Sequence, residues 1–143
     1  MEDIIKGNPA AMPALVLAYL GDAVYELHVR RYLISCGITK VNSLHKRAVK
    51  FVNASTQARV LHTISETLSE TEMSVVKRGR NAKSGSVPKN TSISEYRHGT
   101  AFECLIGYLS LSGREDRIAE IFKIALEIVM LTEEGDTNEG KTY

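Results

Sequence analysis

Two cysteines, Cys36 and Cys104, are all that the 143 residues contain. They could form one bridge at most and have no metal-finger spacing, which points to free thiols in a reducing, cytoplasmic setting. Proline is nearly as scarce, at three residues against ten glycines, in a chain that is 43% apolar and 24% charged. That composition excludes collagen-like, disordered and low-complexity chains. No run is long or apolar enough for a bilayer. The longest uncharged stretch, Gly7 to Gly21, has 15 residues and holds two prolines, where a spanning helix needs about 20 apolar residues. The opening Met-Glu-Asp-Ile-Ile-Lys is acidic where a secretory leader is basic. Nor do aromatics alternate with basic residues as on a single-strand stacking platform. One soluble domain is expected, of a size that buries roughly two-thirds of its unfolded surface.

The net charge of +1 conceals an uneven distribution. Residues 1–29 sum to −3, residues 30–97 to +9 and residues 98–143 to −5. A basic middle between acidic ends suits a polyanionic partner.

Hydrophobic spacing is helical throughout and strand signals are few, so the fold class is all-α. The spacing predicts a long apolar helix over 13–35, opened by Pro13 and closed by Gly37. A second helix over 42–52 takes Asn42 as its N-cap. A third, over 55–68, places Ala58, Leu61, Ile64 and Leu68 on one side. Ser69-Glu-Thr-Glu72 has the form of a capping box and opens a short helix to about Arg80. Residues 81–94 are small and polar and read as a loop. A second apolar helix runs from about Ser94 to Leu111, stopped by Gly113. The last helix, 114–131, is amphipathic. The domain is expected over 1–131, with a flexible acidic tail over 132–143.

Both apolar helices carry one conspicuous charge. Asp22 is the only charged residue from Pro13 to Tyr25, and Glu103 the only one from Gly99 to Ser112. An ionised carboxylate in apolar surroundings is costly unless paired or bound to a cation. Ala18, Asp22 and Glu26 share one helix face, as do Gly99, Glu103 and Gly107. Glycine inside a helix costs about 1 kcal/mol against Ala, so its recurrence suggests close backbone approach. The two helices are therefore expected to pack tightly and bring Asp22 and Glu103 together. Such a pair either shares a proton or holds a metal; two oxygen ligands suit Mg²⁺, which keeps several waters. The ordinary alternative is that each acid pairs with an arginine such as Arg30, Arg31 or Arg97.

Lys77, Arg78, Arg80, Lys83 and Lys89 lie in a stretch, 73–94, without any acid. Hydroxyl and amide donors accompany them, and Gly79 and Gly85 would let the backbone approach a phosphate. Gly79 to Gly85 lacks the spacing of a phosphate loop, and no strand precedes it. The four histidines have no metal-ligand spacing and read as surface or partner-bonding residues.

Leu20-Gly-Asp-Ala-Val-Tyr-Glu-Leu27 resembles the signature of ribonuclease III catalytic domains, and Ala101-Phe-Glu-Cys-Leu-Ile-Gly107 resembles the second motif of that family. The two stand in the family's order and cover most of the chain. The short Mini-III branch, a nuclease domain alone, is most similar. Lys77-Arg-Gly-Arg-Asn-Ala-Lys-Ser-Gly85 with Pro88-Lys-Asn90 resembles a segment typical of it.

The resemblance implies a helical, homodimeric endonuclease fold without an appended double-stranded-RNA-binding domain. It implies Mg²⁺-dependent cleavage of double-stranded RNA, with Mn²⁺ as a substitute, leaving 5′-phosphate ends. In the Mini-III branch the implied substrate is the precursor of large-subunit (23S) ribosomal RNA. Without a second RNA-binding domain affinity should be weak and steeply salt-dependent, so a large-subunit ribosomal protein that presents the substrate is expected as a partner. The family's catalytic and metal-holding acids fall on Asp22 and Glu103, and its aromatic dimer contact falls on Tyr19. Lys77, Arg78, Arg80, Lys83 and Lys89 would grip the RNA backbone. Two further family carboxylates are missing, because Ala18 and Thr100 stand at their positions. The rival expectation is therefore an RNA-binding module of the same fold with weak or no activity.

Overall fold

The computed structural model describes residues 7–82 and 85–140, the last five by backbone alone. Six α-helices and two short 3₁₀ turns account for the order of elements, and there is no strand among the described residues. The helices are α1 (Ala14–Ser35), α2 (Val41–Val52), α3 (Ala54–Ile64), α4 (Glu70–Asn81), α5 (Ile93–Leu111) and α6 (Glu115–Gly140).

Helix α5 is the centre of the bundle. Nine of its residues are buried, from Gly99 to Leu109, and they face every direction around its axis, as expected of a helix enclosed by its neighbours. Helices α1, α3, α4 and α6 pack around it. Helix α1 is apolar on two sides, but only Leu17, Ala18, Gly21, Tyr25, Val29 and Leu33 turn inward. Aromatic rings fill the space between α1, α2, α5 and α6. Tyr25 meets Phe102 edge-on at 4.9 Å, and Phe51 stacks on Phe122 at 6.0 Å. The Tyr25 hydroxyl donates to the Phe51 carbonyl at 3.0 Å, so its polar end is satisfied inside the core.

The capping box at Ser69 is present. Ser69 Oγ accepts from the Glu72 amide at 3.1 Å, and Glu72 Oε1 accepts from the Ser69 amide at 2.8 Å. The other Glu72 oxygen lies 3.4 Å from Arg117 of α6, with side-chain exposures of 9% and 14%. This ion pair is nearly dry and ties the start of α4 to the start of α6.

Three local features differ from the sequence reading. Lys40, not Asn42, is the N-cap of α2, with no side-chain cap bond; Asn53 instead caps α3 through Thr56 N at 2.8 Å. The buried side of α3 is Thr56, Gln57, Val60, Leu61 and Ile64, so Ala58 sits at the edge of that side. Helix α6 continues to Gly140, past the expected end at residue 131. Thr132 accepts a hydrogen bond from Arg59 at 2.9 Å, and Glu133 pairs with Arg47 at 2.6 Å and Lys50 at 3.2 Å. Partners on α2 and α3 hold the first turn of what the sequence presented as a tail.

Candidate active site

The crossing of α1 over α5 is set by two glycines. A Cβ on Gly21 would fall 1.7 Å from the Glu103 carbonyl oxygen, and one on Gly107 would fall 2.0 Å from the Leu17 carbonyl oxygen. Backbone therefore rests on backbone, and no other residue fits at either position. Asp22 follows Gly21, and Glu103 stands one turn before Gly107, so the crossing that needs the glycines also brings the two acids together. Gly99, the other glycine of the expected α5 stripe, faces α3 instead. A Cβ there would lie 3.0 Å from Gln57 Oε1 and 3.6 Å from Ala54 Cβ.

The two acids differ in environment. Asp22 is exposed, whereas Glu103 is partly buried. Only Glu103 meets the expectation of a carboxylate in apolar surroundings. Burial above all, and then the charge and hydrogen bond of Asp22, push Glu103 up to about 8. Among the described residues neither acid makes an ion pair; Arg30 turns to Glu26 at 2.8 Å instead. The arginine-paired alternative is thereby excluded for Arg30, and the pair is left as two carboxyls facing each other at the surface end of the crossing. No group of three or more His, Cys, Asp or Glu side chains gathers among the described residues. Two acids, open to solvent on the Asp22 side and short of positive charge, fit a hard cation that retains water, and do not fit an all-protein cage.

Beneath Glu103, the Cys104 thiol donates to the Ala14 carbonyl at 2.9 Å. Burial first and the Glu103 charge second push it up to about 11, so it is an inert packing group and not a nucleophile. Thr100 is buried, its hydroxyl bonded to the Tyr96 carbonyl at 3.1 Å. Ala18 is buried as well.

The basic segment divides. Lys77, Arg80 and Lys89 are exposed, as a phosphate grip requires. Arg78 corrects the expectation: its guanidinium donates to the Met12 carbonyl at 2.9 Å and also to the Ala10 carbonyl. It straps the turn before α1 onto α4. Lys83 lies outside the described residues. Gly79 serves packing and not phosphate approach, since a Cβ there would lie 2.7 Å from Cys104 Sγ and 2.8 Å from Ala101 Cα. No sequence signal marked Arg78 or Gly79 as structural, because a basic run looks the same whether its members point to solvent or to carbonyls. Tyr19 is 84% exposed, an unusual position for a large aromatic ring.

The family model described as "Ribonuclease III domain" matches residues 15–114 of this all-helical bundle, a span that includes both acids and both glycines of the crossing. The chain belongs to the ribonuclease III family, and it is an endoribonuclease acting on double-stranded RNA. Within the family its relatives are Mini-ribonuclease 3 proteins. That of Brevibacillus brevis is 58% identical over 122 residues, covering 85% of this chain and 91% of the relative. That of Clostridium tetani is 45% identical over 143 residues, covering 99% and 93%. The crystal structure of a protein from Fusobacterium nucleatum superposes with a TM-score of 0.75 at 32% identity, covering 82% of this chain and 93% of that one.

The raised Glu103 pKa has a consequence for stability. In the metal-free protein the native state keeps a proton on Glu103 between about pH 4.5 and about 8, where the unfolded chain has released it. The native state binds more protons there, so stability falls as pH rises through that window. Glu103→Gln removes the titration. Thermal unfolding in chelator from pH 5 to pH 9 is expected to show the wild type losing roughly 5 °C or more relative to the variant. Parallel profiles would show that Glu103 does not hold its proton to a higher pH in the native state.

Proposed function

We propose that the chain is a Mg²⁺-dependent nuclease that trims precursor 23S ribosomal RNA in the cytoplasm as a homodimer. The observation that carries the reading is the meeting of Asp22 and Glu103 at the α1–α5 crossing, without a cationic partner among the described residues. These two side chains would hold the ion, with Mn²⁺ as a substitute. Bound there, the ion would lower the pKa of water and neutralise charge on a phosphodiester. Asp22, on the exposed side, faces the incoming phosphate. Glu103, partly buried, would give up its proton to serve as the second ligand. Lys77, Arg80 and Lys89 supply sequence-independent contacts to A-form backbone. The test is cleavage of perfect duplex RNA with Mg²⁺ and with chelator, followed by analysis of the product ends. Ends carrying 5′-phosphate, formed only with the metal, support the reading. A precursor 23S fragment cleaved no better than an arbitrary duplex would remove the ribosomal assignment. A large-subunit ribosomal protein that presents the substrate should raise the rate on that fragment alone.

Dimerisation has its own support on α1. Leu15, Val16, Tyr19 and Leu27, at 43%, 51%, 84% and 48% exposure, form an apolar outer face at three- and four-residue spacing. A second copy related by a two-fold axis would bury both faces against each other. Tyr19→Glu is expected to weaken association by about tenfold to a hundredfold, as loss of a central aromatic anchor does. Light scattering across a dilution series should then report monomer where the wild type is a dimer. An unchanged dimer would place the interface elsewhere.

A further inference from the structure

From Leu27 to Ser65 the sequence contains seven Lys or Arg and no Asp or Glu. Neither the acid pair nor the α4 grip accounts for this excess. The stretch forms the end of α1 and all of α2 and α3. Three of the seven cations have acidic partners: Arg30 pairs with Glu26, while Arg47 and Lys50 share Glu133. Arg31, Lys40, Lys46 and Arg59 are exposed and make no ion pair among the described residues. Arg59 uses one nitrogen on Thr132 and has no other hydrogen-bond partner among those residues.

We propose that the α2–α3 face, through Lys40, Lys46 and Arg59, is a second contact for the backbone of the RNA duplex, outside the cleavage centre and separate from the α4 grip. This rests on the reading of the chain as a double-stranded-RNA nuclease. The placement follows from α5. Helix α3 begins against Gly99, where Ala54 lies, one turn before Glu103. Helix α4 meets α5 at Ala101 and Cys104. At 100° per residue, positions 99 and 101 point to opposite sides of a helix. The contacts of α3 and α4 with α5 therefore lie on different sides of that helix, and Glu103 follows Gly99 by one turn. Arg59 lies five residues along α3 from Ala54, about 7 Å of helix rise.

The chemistry of the face suits a ribose–phosphate chain. Beside Arg59 an open groove of about 420 Å³ between α3 and the first turn of α5 is lined by Ser55, His62, Thr63 and Glu95. Glu95 is already hydrogen-bonded to Ser92. The groove offers hydroxyl and imidazole groups next to a guanidinium, which is how phosphate and sugar oxygens are commonly bound. Exposed Asn42 and Ser43 add donors on α2. A duplex long enough to run past the acid pair brings phosphates to both basic surfaces; a short one does not.

The test uses the full chain with Lys40→Gln, Lys46→Gln and Arg59→Gln combined, which breaks no ion pair described above. Binding is measured against salt concentration in chelator, for duplexes of about 12 and about 30 base pairs. Each lost phosphate contact should lower the log–log salt slope by about 0.9. For the long duplex the slope is expected to fall by about 2 to 3, with affinity about tenfold weaker at low salt. The short duplex should bind equally well to both proteins, and kcat with Mg²⁺ should not change. Lys123→Gln, on the exposed side of α6, should leave the slope as it is. Unchanged slopes on the long duplex, equal losses on both lengths, or the same loss from Lys123→Gln would each overturn the proposal, the last two by reducing it to net charge. Loss of binding to an acidic protein, with RNA binding intact, would overturn it in favour of a protein partner. Wild-type binding without cleavage would defeat the nuclease reading and leave this surface standing. Cleavage with an unchanged slope in the triple variant would do the reverse.

Discussion

Asp22→Asn is expected to abolish duplex cleavage, by about a thousandfold or more, in a protein that folds and binds RNA normally. The size follows from what the pair supplies. Stabilising a cation at a developing phosphate charge is worth several kcal/mol, and each 1.36 kcal/mol is about tenfold in rate. Asn keeps the shape of Asp but removes the negative charge. With Glu103 the only acid left at the crossing, a site that retains several waters has half of its protein charge. The fold should not notice, because Asp22 is exposed and makes no ion pair among the described residues; surface changes of this kind stay within about 0.5 kcal/mol. Duplex affinity should hold within a few-fold, since Lys77, Arg80 and Lys89 are untouched. The informative control is Glu26→Gln. Glu26 stands one turn beyond Asp22 on the same face but is committed to Arg30 at 2.8 Å, so cleavage should survive its loss. A tenfold effect or less from Asp22→Asn, or equal effects from the two variants, would mean that charge density on α1 matters and the pair does not.

Much of this site was legible in the sequence because it depends on contrast. One acid in an apolar helix stands out, and a glycine where glycine is unfavourable stands out beside it. The juxtaposition of Asp22 with Glu103 could be inferred from those two anomalies before any family resemblance was invoked. The capping box at Ser69 was equally legible, because its two hydrogen bonds are local. What could not be read was direction. Asp22 proves exposed and Glu103 partly buried, a difference set by where α1 crosses α5 and not by either residue's neighbours in sequence. Arg78 and Lys77 are adjacent in one basic run, yet Arg78 holds the carbonyls of residues 10 and 12 while Lys77 faces solvent. The sequence separation of 66 between Arg78 and Met12 carries no local signature. The continuation of α6 past residue 131 was hidden for the same reason: Arg47, Lys50 and Arg59, which hold its Thr132 and Glu133, are more than 70 residues away in the chain. Gly99 was misjudged in a more instructive way. It shares a stripe with Glu103 and Gly107, but a stripe with i, i+4, i+8 spacing drifts around the helix by about 40° per step. Two steps are enough to pass from the α1 contact to the α3 contact.

The second large effect concerns the crossing itself. Gly21→Ala is expected to unfold or severely destabilise the protein, and Gly107→Ala to do the same, although each adds a single methyl. Overpacking a core commonly costs about 1–3 kcal/mol when side chains can yield. Here the added carbon would sit 1.7 Å from the Glu103 carbonyl oxygen, or 2.0 Å from that of Leu17, and backbone cannot rotate away. Helix α1 would have to move off α5 by more than an ångström. That would open the packing of Leu17, Tyr25, Phe102 and Ile106, all at most 1% exposed. Against a total stability of about 5–15 kcal/mol, a loss above about 3 kcal/mol should lower Tm by roughly 10 °C or more. The gain in helix propensity, about 1 kcal/mol for Gly to Ala, is too small to compensate. Gly85→Ala provides the contrast, since nothing lies within 4 Å of a Cβ there, and it should be neutral to slightly stabilising. Where a Gly21→Ala protein can be kept folded at low temperature, the acids should no longer meet. Its stability should then fall less steeply between about pH 5 and pH 9 than that of the wild type, because burial remains to raise Glu103 but the Asp22 contribution is gone. A variant that melts like the wild type and cleaves RNA normally would show that α1 and α5 do not touch through their backbones, and the geometry of the acid pair would have to be built another way.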